Sequence, residues 1–328
     1  MRLDFEQIHS ALRGVSYVKE QDGKLTLHRF TPAQEELYRV EKELFYRRTF
    51  ATAGVVLEFD TDSENLRLSV EVSPANGGND FVHSIFADGR SVGELAGTMP
   101  PDRTHTPYQG SFPLGTGLKR VKIVFPWSAV SQIRAVEIDD GAQFMPVKKE
   151  KTMFLFGDSI TQGFIAARPE NTYASLTTEF LDVNGICKGI GGETFRPALA
   201  GLTDPVEPQL IIVAYGTNDW NYSKAEVFLE NSGRFLRCLR DTYPDVPIVL
   251  LAPTWRADLH IKTDVGDFRS VADHYRSLAE STSNVTVIDC FDFVPHDSVY
   301  FHDQRVHPND RGFRCYAQAL FTELKNRI

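Results

Sequence analysis

The chain has 328 residues, with 35 Lys and Arg set against 44 Asp and Glu for a formal charge of −9. That length suits two cores of about 150 residues each rather than one, and an acidic chain without a Lys/Arg block has nothing with which to track a phosphate backbone, which argues against a nucleic acid partner. No apolar run approaches the ~20 residues that span a bilayer, so no membrane association is expected.

The N-terminal stretch MRLDFEQIHSALRG is charged throughout and lacks the apolar stretch and small-residue cleavage site of a secretion signal, so a cytoplasmic location is expected. Short runs with period-two alternation follow at 24–30 (KLTLHRF), 53–59 (AGVVLEF), 66–72 (LRLSVEV), 81–87, 118–125 and 133–138, separated by turn signals such as NGGND, ADGRS and PLGTG. Repeated short strands between turns predict a β-sandwich over residues 1–150. Only 33–43 reads as helix there, and PYQGSF at 107–112 reads as a loop that the first domain lends to the rim of a site.

Past residue 150 the rhythm changes. Apolar strands without internal alternation are expected at 152–156, 209–214, 247–252 and 284–289, spaced by amphipathic helices at 224–240 and 313–324. Such a pattern predicts an α/β domain over 151–328, with a parallel sheet covered on both faces. Ligands then bind beyond the carboxyl ends of the strands. Cys187, Cys238, Cys290 and Cys315 all lie in this half in apolar surroundings without a CxxC pair, and read as free thiols.

Four segments fall where loops reach that edge: GDSIT at 157–161, GIGGET at 189–194, GTND at 216–219 and HDQRVHPND at 302–310. Each alone is ordinary turn chemistry, and Ser159 alone suits a helix cap. Together they supply the parts of an acyl transfer. A serine hydroxyl needs a base in hydrogen-bond reach, which His307 offers. The oxygen that gains charge needs preorganised donors, for which the Ser159 N–H, a glycine N–H at 192 and the Asn218 amide are suited. Asp303 is the group to orient the imidazole. Asp158, Tyr215, Trp220, Trp255 and Arg256 flank these blocks and are candidate substrate contacts, with Asp158 also placed to brace its loop through backbone hydrogen bonds. His302, Asp303 and His307 lack a known ligand spacing, so neither a metal nor an organic cofactor is expected.

The order GDS, glycine, GTND, then Asp and HisProAsn resembles the SGNH, or GDSL-type, hydrolase superfamily over residues 152–328. The resemblance implies a flavodoxin-like three-layer fold and a serine esterase, with Ser159 as nucleophile, Gly192 and Asn218 as oxyanion donors and His307 as base. A jelly-roll-like sandwich ahead of such a domain is similar to carbohydrate acetylesterases, which implies a small-molecule or carbohydrate ester, such as an O-acetylated sugar, as substrate. An acyltransferase working at the same Ser-His site, or a catalytically dead carbohydrate-binding protein, are the alternatives, and a homo-oligomer is compatible with the sequence. One position departs from the family's pattern. The usual acid lies three residues before the histidine, where Gln304 stands, and Asp303 lies four before. The expectation is that Asp303 completes a triad; a Ser-His dyad is the alternative.

Overall fold

The computed structural model describes residues 1–75 and 77–328. Helix α1 (Phe5–Ser10) and strands β1 (Leu12–Arg13), β2 (Tyr17–Gln21) and β3 (Lys24–His28) precede two helices, α2 (Pro32–Glu41) and α3 (Glu43–Thr49). Eight strands follow: β4 (Val56–Thr61), β5 (Asn65–Pro74), β6 (Asp80–Ala87), β7 (Arg90–Thr98), β8 (Thr106–Pro113), β9 (Lys119–Val124), β10 (Ala129–Ile138) and β11 (Met145–Pro146). They form two antiparallel sheets. One runs β1-β4-β9-β6-β7 with β11 added to β4, and the other runs β2-β3-β10-β5-β8. Alternation decides which face is buried: Leu66, Leu68, Val70 and Val72 of β5 point inward and share one core with Leu57, Phe59, Val121 and Ile123 of the facing sheet.

Two expectations for this half need correction. PYQGSF lies in β8, an edge strand paired with β5 from Val72 to Asn65, and is not a rim loop. Strands β7 and β8 escaped the periodicity because Gly93, Gly97 and Gly110 dilute their apolar faces; the Phe112 ring covers both Gly93 and Gly110, so close that a Cβ at either would meet it at 2.7 Å. There are also more helices than one. The Thr31-Pro32-x-Gln34 sequence builds a capping box for α2, with the Gln34 N–H donating to Thr31 Oγ1 at 3.3 Å and the Thr31 N–H to Gln34 Oε1 at 3.0 Å.

From β12 (Thr152–Gly157) the elements alternate: α4 (Ser159–Gln162), α5 (Tyr173–Phe180), β13 (Asn184–Gly189), α6 (Pro197–Ala200), β14 (Leu210–Ala214), α7 (Thr217–Tyr222), α8 (Ala225–Thr242), β15 (Ile248–Ala252), α9 (Ser270–Ser281), β16 (Val285–Asp289) and α10 (Asp310–Leu324). The sheet order is β13-β12-β14-β15-β16 and every pairing is parallel. This is the flavodoxin-like order, whose direction of winding reverses between β12 and β14. Phe154 and Phe156 face α8 through Phe235, Leu236 and Leu239. Met153 and Leu155 face α10 through Phe313, Ala317 and Leu320 on the other side. All four cysteines are free thiols. Among the described residues no helix is long and apolar enough to cross a membrane.

Strand β13 (NGICKG) carries no apolar run, and Lys188, its penultimate residue, is wholly buried. The ammonium pairs with Asp204 at 2.6 Å and donates to Ser16 Oγ at 2.8 Å and Gln34 Oε1 at 2.9 Å, so its partners come largely from the β-rich half. Burial pushes its pKa down to about 8 against the opposing pull of Asp204. Removing one member of a buried pair strands the other charge, at a cost of about 3–5 kcal/mol. Urea denaturation of Lys188→Met is therefore expected to show a loss of that order, most of it recovered in Lys188→Met/Asp204→Leu; a single variant as stable as the parent would contradict this account.

Candidate active site

Gly157 ends β12, and α4 begins immediately as a single turn. Its cap is Asp158, whose Oδ1 accepts from the Ile160 N–H at 2.9 Å, so the Ser159 hydroxyl is not spent on capping. Instead Ser159 Oγ lies 2.9 Å from His307 Nε2. On the other side of the ring, His307 Nδ1 lies 2.7 Å from Asp303 Oδ2. The carboxylate requires Nδ1 to carry the proton, which leaves Nε2 as the acceptor facing the serine.

Local backbone geometry explains the shifted acid. Phe301 and Pro308 form an antiparallel bridge, the His302 N–H donates to the His307 carbonyl at 2.8 Å, and Gln304 turns the chain with φ of 57°. The resulting loop wraps around Asp303, whose Oδ1 accepts from the N–H groups of Arg305 (2.9 Å), Val306 (2.8 Å) and His307 (3.1 Å). Partial burial pushes the Asp303 carboxyl up, but the hydrogen bond from His307 and these backbone donors outweigh it and hold it well below the usual carboxylate range.

The glycine block sits beside this row. Gly192 has φ of 80°, a left-handed conformation that a side chain would strain. At Gly191, a Cβ would collide with the Phe164 ring at 2.5 Å. Gln162 Oε1 accepts from the Gly191 N–H at 2.8 Å, and Asn218 Nδ2 donates to the Glu193 carbonyl at 2.9 Å, leaving its second N–H uncommitted. These bonds tie the turn after β12, the loop after β13 and the turn after β14 together at the point where the sheet's winding reverses. Among the described residues, neither the Ser159 nor the Gly192 N–H has an acceptor.

The flanking candidates fare differently. Tyr215 is 1% exposed, packed against Phe195 and Phe235. Trp220 is 0% exposed and donates from Nε1 to the Gly266 carbonyl at 2.8 Å. Arg256, 3% exposed, lies over the Trp220 ring and is clamped by Asp258 at 2.5 and 2.9 Å and by the Thr217 carbonyl at 3.1 Å. These three brace the loops and present no face to a substrate, because the ring and guanidinium partners that their chemistry invited are all internal. Asp158 is buried too, which raises its pKa to about 6 despite the Ile160 N–H and the nearby His307 and Arg256. Trp255 stays half-buried, stacked on His296 with ring centres 5.3 Å apart.

Residues that gave no sequence signal complete the surroundings. Phe164 stacks on His307 at 6.2 Å between ring centres, Trp127 packs on Phe164 and donates from Nε1 to the Ala166 carbonyl at 2.9 Å, and the guanidinium of Arg48 of α3 lies 5.1 Å from the centre of the Phe164 ring. Trp127 and Arg48 belong to the β-rich half, so that half does reach the site, through α3 and the β9-β10 turn.

Residues 155–315 match the GDSL-like Lipase/Acylhydrolase family. That segment is an SGNH-type hydrolase domain. No curated protein matches the chain by sequence. In three dimensions the hydrolase is similar to the salicylyl-acyltransferase SsfX3 from a tetracycline biosynthetic pathway, with a TM-score of 0.82 and 21% identity over 96% of this chain and 94% of that one. It is also similar to a putative GDSL-like lipase from Bacteroides ovatus (TM-score 0.77, 17% identity, 100% and 97% covered). A family two carbohydrate esterase from Clostridium thermocellum, solved with cellohexaose, gives 0.64 at 17% identity over 84% and 93%. All four blocks of the SGNH pattern, GDS, GIGG, GTND and HPND, fall inside the matched segment. Esterase and acylhydrolase chemistry is the class to which this enzyme belongs.

A β-branched residue at 304 would resist the left-handed backbone that folds the loop around Asp303, whereas glycine would not. Gln304→Val is expected to lose the downfield proton resonance of a carboxylate-bonded His307 Nδ1–H, and Gln304→Gly to keep it. The same resonance in both variants would show that the turn does not set the contact.

Proposed function

We propose that the chain is a serine-dependent ester hydrolase that works through an acyl-enzyme and removes short acyl groups, acetyl above all, from a carbohydrate or related small molecule. The observation that carries this reading is the hydrogen-bonded row from Asp303 through His307 to Ser159, with N–H groups beside it that lack acceptors.

In the proposed cycle the ester carbonyl lies over Ser159. As Oγ bonds to the carbonyl carbon, its proton passes to His307 Nε2 and the carbonyl π electrons move onto oxygen. Asp303 holds the imidazolium so formed through Nδ1–H. The oxyanion lies among the Ser159 N–H, the Gly192 N–H and the free Asn218 N–H, donors fixed before the charge appears. Collapse breaks the bond to the alcohol oxygen, which leaves with the proton from His307. Water then repeats the sequence on the acyl-enzyme and frees Ser159. A cleft of about 410 Å³, lined by Trp127, Ile165, Arg168, His302 and residues 79–82 of the β-rich half, would hold the alcohol portion. That is within the ~300–1,000 Å³ usual for small-ligand sites.

The high similarity in fold to an acyltransferase over nearly the whole chain supports a second reading, in which an acceptor alcohol replaces water at the same acyl-enzyme.

A p-nitrophenyl acetate assay is expected to show release by the parent and none above background by Ser159→Ala. Release independent of Ser159 would sink the proposal. Repeating the assay with added alcohols and acetylated sugars separates the two readings: hydrolysis predominates if free acetate accumulates unchanged, transfer if a new ester does. Asp303→Asn is expected to lower kcat on the order of 10³–10⁴-fold, as in other triads; a loss of only a few-fold would indicate a Ser-His dyad.

A further inference from the structure

We propose that Arg48, from helix α3 of the β-rich half, is a positioning residue that aims the Gly192 N–H at the reacting oxygen. The inference rests on the hydrolase reading above and extends it to a residue outside the matched segment.

Arg48 Nη1 donates to the Gly191 carbonyl oxygen. That carbonyl and the Gly192 N–H are the two ends of one planar peptide unit, pointing in opposite directions. Fixing the oxygen therefore fixes the N–H. Rotation about the neighbouring glycine bonds, otherwise nearly free, is blocked on the other side as well, because Gln162 Oε1 holds the Gly191 N–H. A cationic donor on the carbonyl also withdraws electron density across the amide and makes its N–H a stronger donor. The benefit grows as negative charge develops on the substrate oxygen, so it acts on the transition state more than on bound substrate.

Arg48 is itself well held. Its backbone carbonyl accepts from Arg29 Nη2 at 2.9 Å, and its guanidinium lies 5.1 Å from the centre of the Phe164 ring that stacks on His307. A Cβ placed on Gly192 would lie 3.6 Å from Arg48 Nη1, which locates the guanidinium directly beside the donor residue. Three groups of the site, the Gly191–Gly192 peptide, Phe164 and His307, are thus in one contact chain with a side chain from the first 50 residues.

The test compares the full chain with Arg48→Lys, Arg48→Met and Arg48→Ala, using p-nitrophenyl acetate for turnover and a short alkylboronic acid, which adds to an active serine as a tetrahedral adduct, for transition-state affinity. Arg48→Met and Arg48→Ala are expected to lower kcat by about 10²-fold, the scale of losing one oxyanion donor, with KM changed less than about threefold. Boronate affinity should fall in parallel. Arg48→Lys should retain part of the loss-sensitive rate, and added guanidinium ion should restore part of the turnover of Arg48→Ala. A kcat within threefold of the parent, a loss confined to KM, or unchanged boronate affinity alongside a reduced kcat would each overturn the proposal. Thermal melting identifies a variant that fails to fold; should Arg48→Ala be one, Arg48→Met, which keeps the side-chain bulk and removes the cation, carries the decision by the same criteria. Ser159→Ala, run in parallel, separates the two levels: an active Ser159→Ala refutes the hydrolase reading, whereas an inactive one with unimpaired Arg48 variants refutes only the role of Arg48.

Discussion

Arg29 is wholly buried, and its guanidinium is met by carbonyl oxygens alone: Ala51 through Nε, Cys187 and Gly189 through Nη1, and Arg48 through Nη2. Burial lowers its pKa, yet an arginine keeps its charge, so every one of those dipoles must stay turned toward it. The carbonyls come from the end of α3, from the loop after it and from the last residues of β13. One desolvated cation therefore joins the β-rich half to the parallel sheet at the strand end from which the 189–192 loop departs. Lys188, one residue earlier, adds the buried pair with Asp204 and the bonds to Ser16 and Gln34. The loop's position is a property of both halves together.

Around the other blocks, tertiary contacts do for the loops what Arg29 does for β13. Asp219, placed by GTND, accepts from the Phe195 N–H at 3.1 Å and the Gly216 N–H at 3.1 Å; burial raises its pKa to about 7 against those donors. Glu193 is raised to about 7 by burial as well, while Thr194 N–H and Tyr38 pull the other way. Asp219 spends its oxygens on backbone donors, whereas Glu193 accepts from the Thr194 N–H at 3.0 Å and from the Arg196 guanidinium at 3.1 and 3.2 Å. The reacting row of Ser159, His307 and Asp303 is left at the solvent edge, where Asp303 is the one carboxyl held strongly ionised. The division has a physical basis: burial favours the neutral form of Asp219 and Glu193, whereas hydrogen bonds to the charged form outweigh partial burial at Asp303.

Much of this was legible in the sequence, and the part that was not follows a pattern. Strands β12, β14 and β15 read directly because each carries an unbroken apolar run, as a strand covered on both faces must, and the edge strand β16 reads from Val285, Val287 and Ile288. Strand β13 did not, since its burial depends on Lys188 finding partners far away in the chain. Ser159, Asn218 and His307 stand in short blocks whose spacing survives any loop detail. Asp303 stood one position out of register, and only the left-handed turn at Gln304 brings it to the ring. Tyr215, Trp220 and Arg256 looked like recognition groups because aromatic and guanidinium chemistry is the same whether its partner is a ligand or a neighbour. Arg48 left no trace, for nothing in its local sequence marks a contact with Gly191.

The buried cations of this junction bear on how such chains are inherited and recombined. A hydrolase segment moved to a new host without its sandwich would carry Lys188 and the bare carbonyls of Cys187 and Gly189 to a surface never shaped to solvate them. Exchange of the first half for another sandwich succeeds only where the incoming piece brings its own equivalents of Arg29, Gln34 and Arg48. The unit that evolution can shuffle here is thus larger than the catalytic motif suggests, and its seam runs through the interior rather than along the linker.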